Sequence, residues 1–313
     1  MPEQIAMREA FGQTLVALGK RVPDLVVLDA DVAPSTRAIL FAQAFPERFF
    51  QVGIAEQNMI GMAAGLSTLG FIPFTSTFAC FAKRDLDQIR ITVAQPKNNV
   101  KVTGHYSGLL AGKTGKTHLS IQDLAIMRTM PNMTVIAPAD GVEVAKVMEA
   151  LVAVHGPAYL RLARDPSPVI FDPSYRFEIG RAVKVRDGGD VTLISTGIQT
   201  PRTVEAAEML QAEGISALVL HVPTLKPLDT NAIVAAAERT GLVVTAEEHS
   251  ILGGLGGAVA EVLSEHRPTP MARVGVRDVY AESAPNDALL EKYGVTARHV
   301  AQAARSHLAK WRR

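Results

Sequence analysis

The most constraining feature of the chain is an alternation that runs once, stops, and runs again. Short apolar runs of strand length alternate with segments of helical period. Leu25–Asp29 (LVVLD) reads as a buried strand, preceded by a helical segment at Met7–Gly19. Val52–Leu66 reads as a helix that is apolar nearly all round and hence buried; its Gly61, Ala63, Ala64 and Gly65 leave room for another backbone. The spacing then predicts a strand at Phe71–Thr75, a helix over Phe78–Ala94 stopped at Pro96, and a strand at Val100–Thr103. Ser120 with Asp123 three residues on marks a helix start. Met133–Ala137 is the next strand, Asp140 with Glu143 caps the helix after it, and Tyr159–Ala163 closes the series.

The alternation stops at Asp165–Glu178 (DPSPVIFDPSYRFE), where three prolines and no helical period predict a linker. It restarts with strands at Val191–Thr196, Ser216–Val222, Leu242–Thr245 and Met271–Val276. Helices are expected at Pro201–Ala212 and Asp229–Arg239, after the glycine run Gly253–Gly257, and at the end of the chain. The fold class is therefore α/β, with two doubly wound domains of mostly parallel sheet, at 1–165 and 181–313, joined by a linker at 166–180. In such sheets ligands sit beyond the carboxyl ends of the strands, which directs attention to the loops after Asp29, Thr75, Thr103 and Ala163.

Composition narrows the function. Lys+Arg number 32 against 31 Asp+Glu, so there is no global basic field for nucleic acid. The single cysteine, Cys80, excludes an intrachain disulfide and a Cys-rich zinc site. No apolar run is long enough to span a bilayer; the richest stretch, Met59–Phe74, is interrupted by Ser67, Thr68 and Pro73. The opening MPEQIAMREAFGQ has early acids and no apolar block, so no secretory signal is expected and the cytoplasm is the expected location. Gly112-Lys113-Thr114-Gly115-Lys116-Thr117 fails as a phosphate loop, because Ser107 and Leu110 stand where its first glycine belongs. Gly253–Gly257 lacks dinucleotide spacing, and no Gly-Asp-Gly with a following Asn pair occurs.

Glu56 is the most suggestive residue. It lies near the start of the apolar helix, among Ile54, Met59 and Ile60, where a carboxyl can hydrogen-bond a ring nitrogen. The bland alternative is a first-turn Glu interacting with its own helix N-terminus. Phe78 and Phe81, three apart, fall on one helix face as a slot for a flat ring, or simply as core. His118 sits in a small, polar loop (GKTGKTHLS), a setting that favours a functional histidine. His105, just after a strand end, is a weaker case of the same kind. Lys113 and Lys116 in the loop, and Arg161 and Arg164 at the strand end, suit an anionic substrate or mere solvation. Asp29, Asp31 and Ser35 are candidates for capping the next helix.

These residues carry a resemblance. VGIAEQNMIGMAAGLSTLGFIPFTSTFACFAKRDLDQIR resembles the pyrimidine-binding domain of thiamine-diphosphate enzymes of the transketolase family, and DADVAPST and THLSIQDLAIMRTMPNMTVIAPAD extend the match. DVTLISTGIQTPRTVEAAEMLQAEGISALVLHVPTLKPLD and TAEEHSILGGLGGAV resemble that family's C-terminal domain. The resemblance implies that Glu56 bonds the aminopyrimidine of thiamine diphosphate and favours its imino tautomer. It implies that Phe78 and Phe81 flank the pyrimidine, that Asp31 lies by the thiazolium end, and that His118 stands near the substrate hydroxyls. Arg8, Ser35 and Arg164 match positions that hold the substrate's terminal phosphate. The implied activity is transfer of a two-carbon ketol unit from an anionic ketose to an aldose. The missing Gly-Asp-Gly…Asn pattern belongs to the family's diphosphate-binding domain, which holds Mg²⁺ and the diphosphate. The chain thus resembles the C-terminal subunit of a split transketolase, with no metal of its own, needing a separate N-terminal subunit in an α2β2 heterotetramer.

There are departures from the family pattern. Lys113 and Thr114 stand where an acidic pair is common, and Lys116 replaces a common Pro. The family's second loop His falls on Tyr106, with His105 one place off, and the third pocket aromatic falls on Arg84. The two gained lysines and the lost acid point to an unusual or more anionic substrate, such as a sulfonated or branched ketose. The rival readings are the β subunit of a 2-oxo-acid dehydrogenase E1 and a non-catalytic homologue that keeps the fold.

Overall fold

A computed structural model describes residues 3–311; residues 1–2 and 312–313 of the expected domain spans lie outside the described residues. In chain order the strands are β1 (Gln4–Ala6), β2 (Leu25–Asp29), β3 (Phe49–Gln51), β4 (Ile72–Phe78), β5 (Lys101–His105), β6 (Thr134–Ile136) and β7 (Ala158–Arg161). They continue as β8 (Pro166–Pro168), β9 (Val183–Arg186), β10 (Val191–Ser195), β11 (Ala217–His221), β12 (Thr224–Lys226), β13 (Val243–Ser250) and β14 (Met271–Val276). Two main sheets result. One has seven strands in the order β12-β6-β7-β5-β4-β2-β3, the other five in the order β14-β13-β10-β11-β9. All their pairings are parallel except those of β12 with β6 and β9 with β11. Every residue of β2 and of β10 is buried, as expected of strands covered on both faces by crossover helices.

The two halves are tied together. β12 follows β11 of the second sheet yet closes the edge of the first by pairing with β6. The proline-rich segment also carries structure: β8 pairs antiparallel with β1. Across the junction the Arg161 guanidinium, 4% exposed, donates to Asp123 at 2.8 Å and to the Glu248 carbonyl at 3.0 Å. Among the described residues no helix is long and apolar enough to cross a membrane.

Two expected elements differ. The helix expected over Val52–Leu66 spans Glu56–Thr68, because Gly53 at φ 73° turns the chain just before it. It is not buried all round: one side packs through Met59, Ile60, Ala63 and Ala64, while Met62 is 37% exposed. Ile54 and Leu69, which flank the helix, are 73% and 76% exposed. A Cβ at Gly61 or Gly65 would meet open space. The helix expected over Phe78–Ala94 is also corrected. Phe78 ends β4, residues 79–85 turn, and helical structure resumes as Leu86–Gln88 and Ile89–Ala94. Ser120 is likewise not the cap of the helix Asp123–Thr129; Gln122 occupies that position, and Asp123 accepts from the Ser120 hydroxyl as well as from Arg161 and Tyr159.

Candidate functional site

The site gathers at the carboxyl ends of β2, β4, β5 and β7, where a parallel sheet leaves its strand-to-helix loops. Glu56 is the first residue of its helix and is 4% exposed. Its carboxylate meets the Arg84 guanidinium at 3.8 Å. That guanidinium lies 5.5 Å from the Phe81 ring centre. Phe81 stacks on Phe78 at 5.4 Å and 19° between planes, and Phe78 stacks on Tyr106 at 4.1 Å and 16°. The phenylalanines therefore form a slab even though they do not share a helix. His118 stands edge-on to it, 5.3 Å from Phe81 and 6.3 Å from Phe78.

Beyond Tyr106 the row ends in two cations. Arg164 lies 5.3 Å over the Tyr106 ring, and Arg8 donates to the Tyr106 hydroxyl at 3.3 Å and to the Ser35 carbonyl at 3.2 Å. Tyr106 adopts φ 57°, a strained angle for a bulky residue, which marks it as held there by its neighbours. Arg8 and Arg164 each retain a buried Nε with no partner, and guanidinium forks are suited to binding an oxyanion such as phosphate or sulfonate.

The structure thus brings Glu56, Phe78, Phe81, His118, Arg8, Ser35 and Arg164 into one row, and does not do so for His105. That histidine is not beyond a strand end but is the last residue of β5, fully buried, with its ring 4.6 Å edge-on to Phe11. Burial holds its pKa down to about 3, so it stays neutral inside the fold. Asp29, not Asp31, caps the following turn, accepting from the Val32 and Ala33 amides at 2.7 and 2.9 Å. Asp31 is exposed, and its amide is bound by Gln51. Lys113 and Lys116 are exposed on the loop before His118. Glu56 is buried, but not among all the residues expected, since Ile54 faces solvent.

Sequence reasoning missed Asp85, which is fully buried one residue after Arg84 with neither carboxylate oxygen partnered. Burial first, then the nearby Glu56 charge, push its pKa up to about 8. In AKRDLDQIR it reads as one more solvated charge, so no signal in the sequence singles it out.

A buried carboxylate at a helix start beside a flat aromatic slab fits the aminopyrimidine end of thiamine diphosphate. Among the described residues no group of three or more His, Cys, Asp or Glu could hold a metal ion.

Known proteins resemble both halves of the chain. Residues 3–168 match the family model "Transketolase, pyrimidine binding domain", and residues 180–300 match "Transketolase, C-terminal domain". A Methanocaldococcus jannaschii protein described as a transketolase C-terminal section is 44% identical over 95% of this chain and 94% of its own. The 6-deoxy-6-sulfo-D-fructose transketolase subunit of Clostridium sp. strain MSTE9 is 43% identical over 96% of this chain and 94% of its own. A solved structure titled "Split gene transketolase, inactive beta4 tetramer" superposes with TM-score 0.91 and 50% identity, covering 98% of this chain and 99% of that one.

Proposed function

The chain belongs to the transketolase family, carrying its pyrimidine-binding and C-terminal domains, and from that membership we propose that it completes a two-subunit enzyme for ketol transfer. The observation that carries this reading is the row from the Glu56 carboxylate through Arg84, Phe81, Phe78 and Tyr106 to Arg8 and Arg164. A cofactor ring at one end and an anionic sugar terminus at the other need such an arrangement.

Bound thiamine diphosphate supplies an electron sink for breaking and making a carbon–carbon bond next to a carbonyl. In this reading Glu56 holds a proton at the pyrimidine ring nitrogen, and Phe78 and Phe81 orient the ring. His118, beside the slab, exchanges protons with the donor's carbonyl and hydroxyl oxygens. Arg8 and Arg164 fix the terminal anion, so that the reacting carbons sit over the slab. Asp31 faces the thiazolium side, and Lys113 and Lys116 widen the positive field around the substrate entrance. A relative acting on a sulfonated ketose supports a donor class of phosphorylated or sulfonated ketoses.

The Mg²⁺ and diphosphate ligands come from an N-terminal partner subunit. The exposed face of the helix Glu56–Thr68, with Ile54 and Leu69 at its ends, is the surface we assign to assembly into an α2β2 heterotetramer. A similar chain known as an inactive tetramer supports the need for that partner. Cytoplasmic operation fits this reading, since sugar phosphates are intracellular substrates.

The test co-expresses the chain with the N-terminal subunit and supplies thiamine diphosphate and Mg²⁺. Ferricyanide reduction is followed with D-xylulose 5-phosphate, 6-deoxy-6-sulfo-D-fructose and 2-oxo acids as donors. Signal from the ketoses, lost in Glu56→Ala, is the expected result. Signal from 2-oxo acids alone would move the chain to the E1 β reading, and no cofactor binding at all would favour a non-catalytic homologue.

A further inference from the structure

The loop carrying Lys113, Lys116 and His118 belongs to the first domain, yet it is fastened from the second. The Leu109 amide donates to Glu248 at 2.7 Å, and the Gly112 amide donates to the Asn286 side-chain oxygen at 2.9 Å. The Ala284 amide donates to the Gly112 carbonyl at 3.2 Å, and the Ser283 hydroxyl to the Lys113 carbonyl at 3.2 Å. The approach is close. At Gly108, where φ is 74°, any Cβ would lie 2.3 Å from the Glu248 carboxylate, and at Gly112 it would lie 2.4 Å from the Ala284 carbonyl. Only glycine allows this docking at either position.

Asn286 does more than hold the loop. Its side-chain amide nitrogen donates to the Leu110 carbonyl at 3.4 Å and to one oxygen of Asp165. The other Asp165 oxygen accepts from Arg164 at 2.7 Å. One carboxamide therefore ties the backbone of the His118 loop to the residue that aims Arg164. A 260 Å³ recess lined by Gly112, Lys113, Arg164, Asp165 and Asn286 marks where the two sides meet.

We infer that Asn286 is a positioning residue for the substrate's anionic end, through which the C-terminal domain sets the distance between the His118 loop and Arg164. The inference rests on the ketol-transfer reading only for its substrate; the fastening of the loop is independent of it. Losing an amide clamp of this kind leaves polar groups unpaired, an effect of roughly tenfold or more in an equilibrium.

Limited trypsin digestion of the full chain, with cleavage after Lys113 and Lys116 read by mass spectrometry, tests the fastening without reference to activity. Asn286→Ala is expected to accelerate that cleavage roughly tenfold. In the co-expressed complex it is expected to raise KM for D-xylulose 5-phosphate by about the same factor, with kcat changed less than about twofold. Asn286→Asp separates the two ties. It keeps the acceptor for the Gly112 amide, loses the longer bond to the Leu110 carbonyl and opposes Asp165, so loop cleavage is expected to rise less than in Asn286→Ala. KM is then expected to rise for the phosphorylated donor and not for the uncharged L-erythrulose.

Wild-type digestion and wild-type KM in Asn286→Ala would overturn the inference, as would equal effects of Asn286→Asp on the two donors. Cleavage of Asn286→Ala throughout the chain would mean that it fails to fold, and Asn286→Asp then decides. A wild-type complex inert towards every ketose would refute the proposed function, while the digestion would still show whether Asn286 holds the loop.

Discussion

Asp85 offers the sharpest test of the physical reasoning, because a buried carboxyl without partners has a calculable consequence. It precedes the helix Leu86–Gln88, makes no side-chain cap bond there, and has neither oxygen satisfied. Burial and Glu56 raise its pKa from 3.8 to about 8. A carboxyl raised in the folded state keeps its proton there while the unfolded chain has already released it. The unfolded state therefore binds fewer protons across this interval, and stability falls as pH rises from about 4 to about 8. The raised value of about 8 less the ordinary 3.8 is about four pH units, and about three of them lie below pH 7. At about 1.4 kcal/mol per unit, the group costs on the order of 4 kcal/mol by pH 7. Asp85→Ala removes the carboxyl and no hydrogen bond. Denaturant unfolding of the full chain and the variant, at about pH 5, 7 and 9, measures the difference. The advantage of the variant is expected to grow by about 3 kcal/mol between the first two and by about 1 kcal/mol more between pH 7 and 9, levelling off above about pH 8. A difference that is the same at all three would show that Asp85 is ionised in the folded chain, and would refute the desolvation argument.

Other outcomes follow from the same geometry. Asp123→Asn strips the fully buried Arg161 of its carboxylate and is expected to destabilise the chain by about 3–5 kcal/mol, read as a lowered Tm. Because Arg161 holds the Asp123 carboxyl below its usual range, that contribution is complete above about pH 4 and is lost as pH falls through the depressed value, so the gap in Tm should close in acid. Paired Lys113→Glu and Lys116→Glu substitutions are expected to raise KM for an anionic donor about three- to tenfold at low salt, with a smaller effect at high salt; unchanged kinetics would remove both lysines from the substrate path. Glu56→Gln is expected to lower kcat in the complex by about 10²- to 10⁴-fold with little change in Tm.

What the sequence showed depended on whether the deciding forces were local. LVVLD was readable to the residue, because a strand buried on both faces is apolar nearly throughout. The stretch after β4 was not. Phe78 and Phe81 have helical spacing, yet Thr75, Ser76 and Thr77 continue the strand as buried polar residues paired with β5. The stacking that helical spacing was expected to produce is made instead by a turn. β9 and β12 were invisible for another reason: each is a short edge strand, and β12 pairs with β6 some ninety residues earlier in the chain. The candidate site was legible wherever residue type and neighbourhood coincide, as at Glu56 and His118. Asn286 and Glu248 were not legible, since nothing in their own surroundings announces a loop more than a hundred residues away.

The position of Glu56 also bears on why a chain like this needs a partner. The helix that opens with the buried carboxylate carries Met62 and the open Gly61 and Gly65 on its other side, with Ile54 just before it and Leu69 just after. Glu56 and the apolar surface are thus parts of one rigid element. In the proposed assembly, a subunit that covers Ile54 reaches the end of the helix where Glu56 meets Arg84 and, through it, Phe81. In that assembly, site closure would accompany subunit association, which apolar burial favours at about 25 cal/mol per Å². Substitutions on that face should change subunit affinity and cofactor binding together rather than separately. A charged residue at Ile54 that weakened one without the other would show the two to be independent.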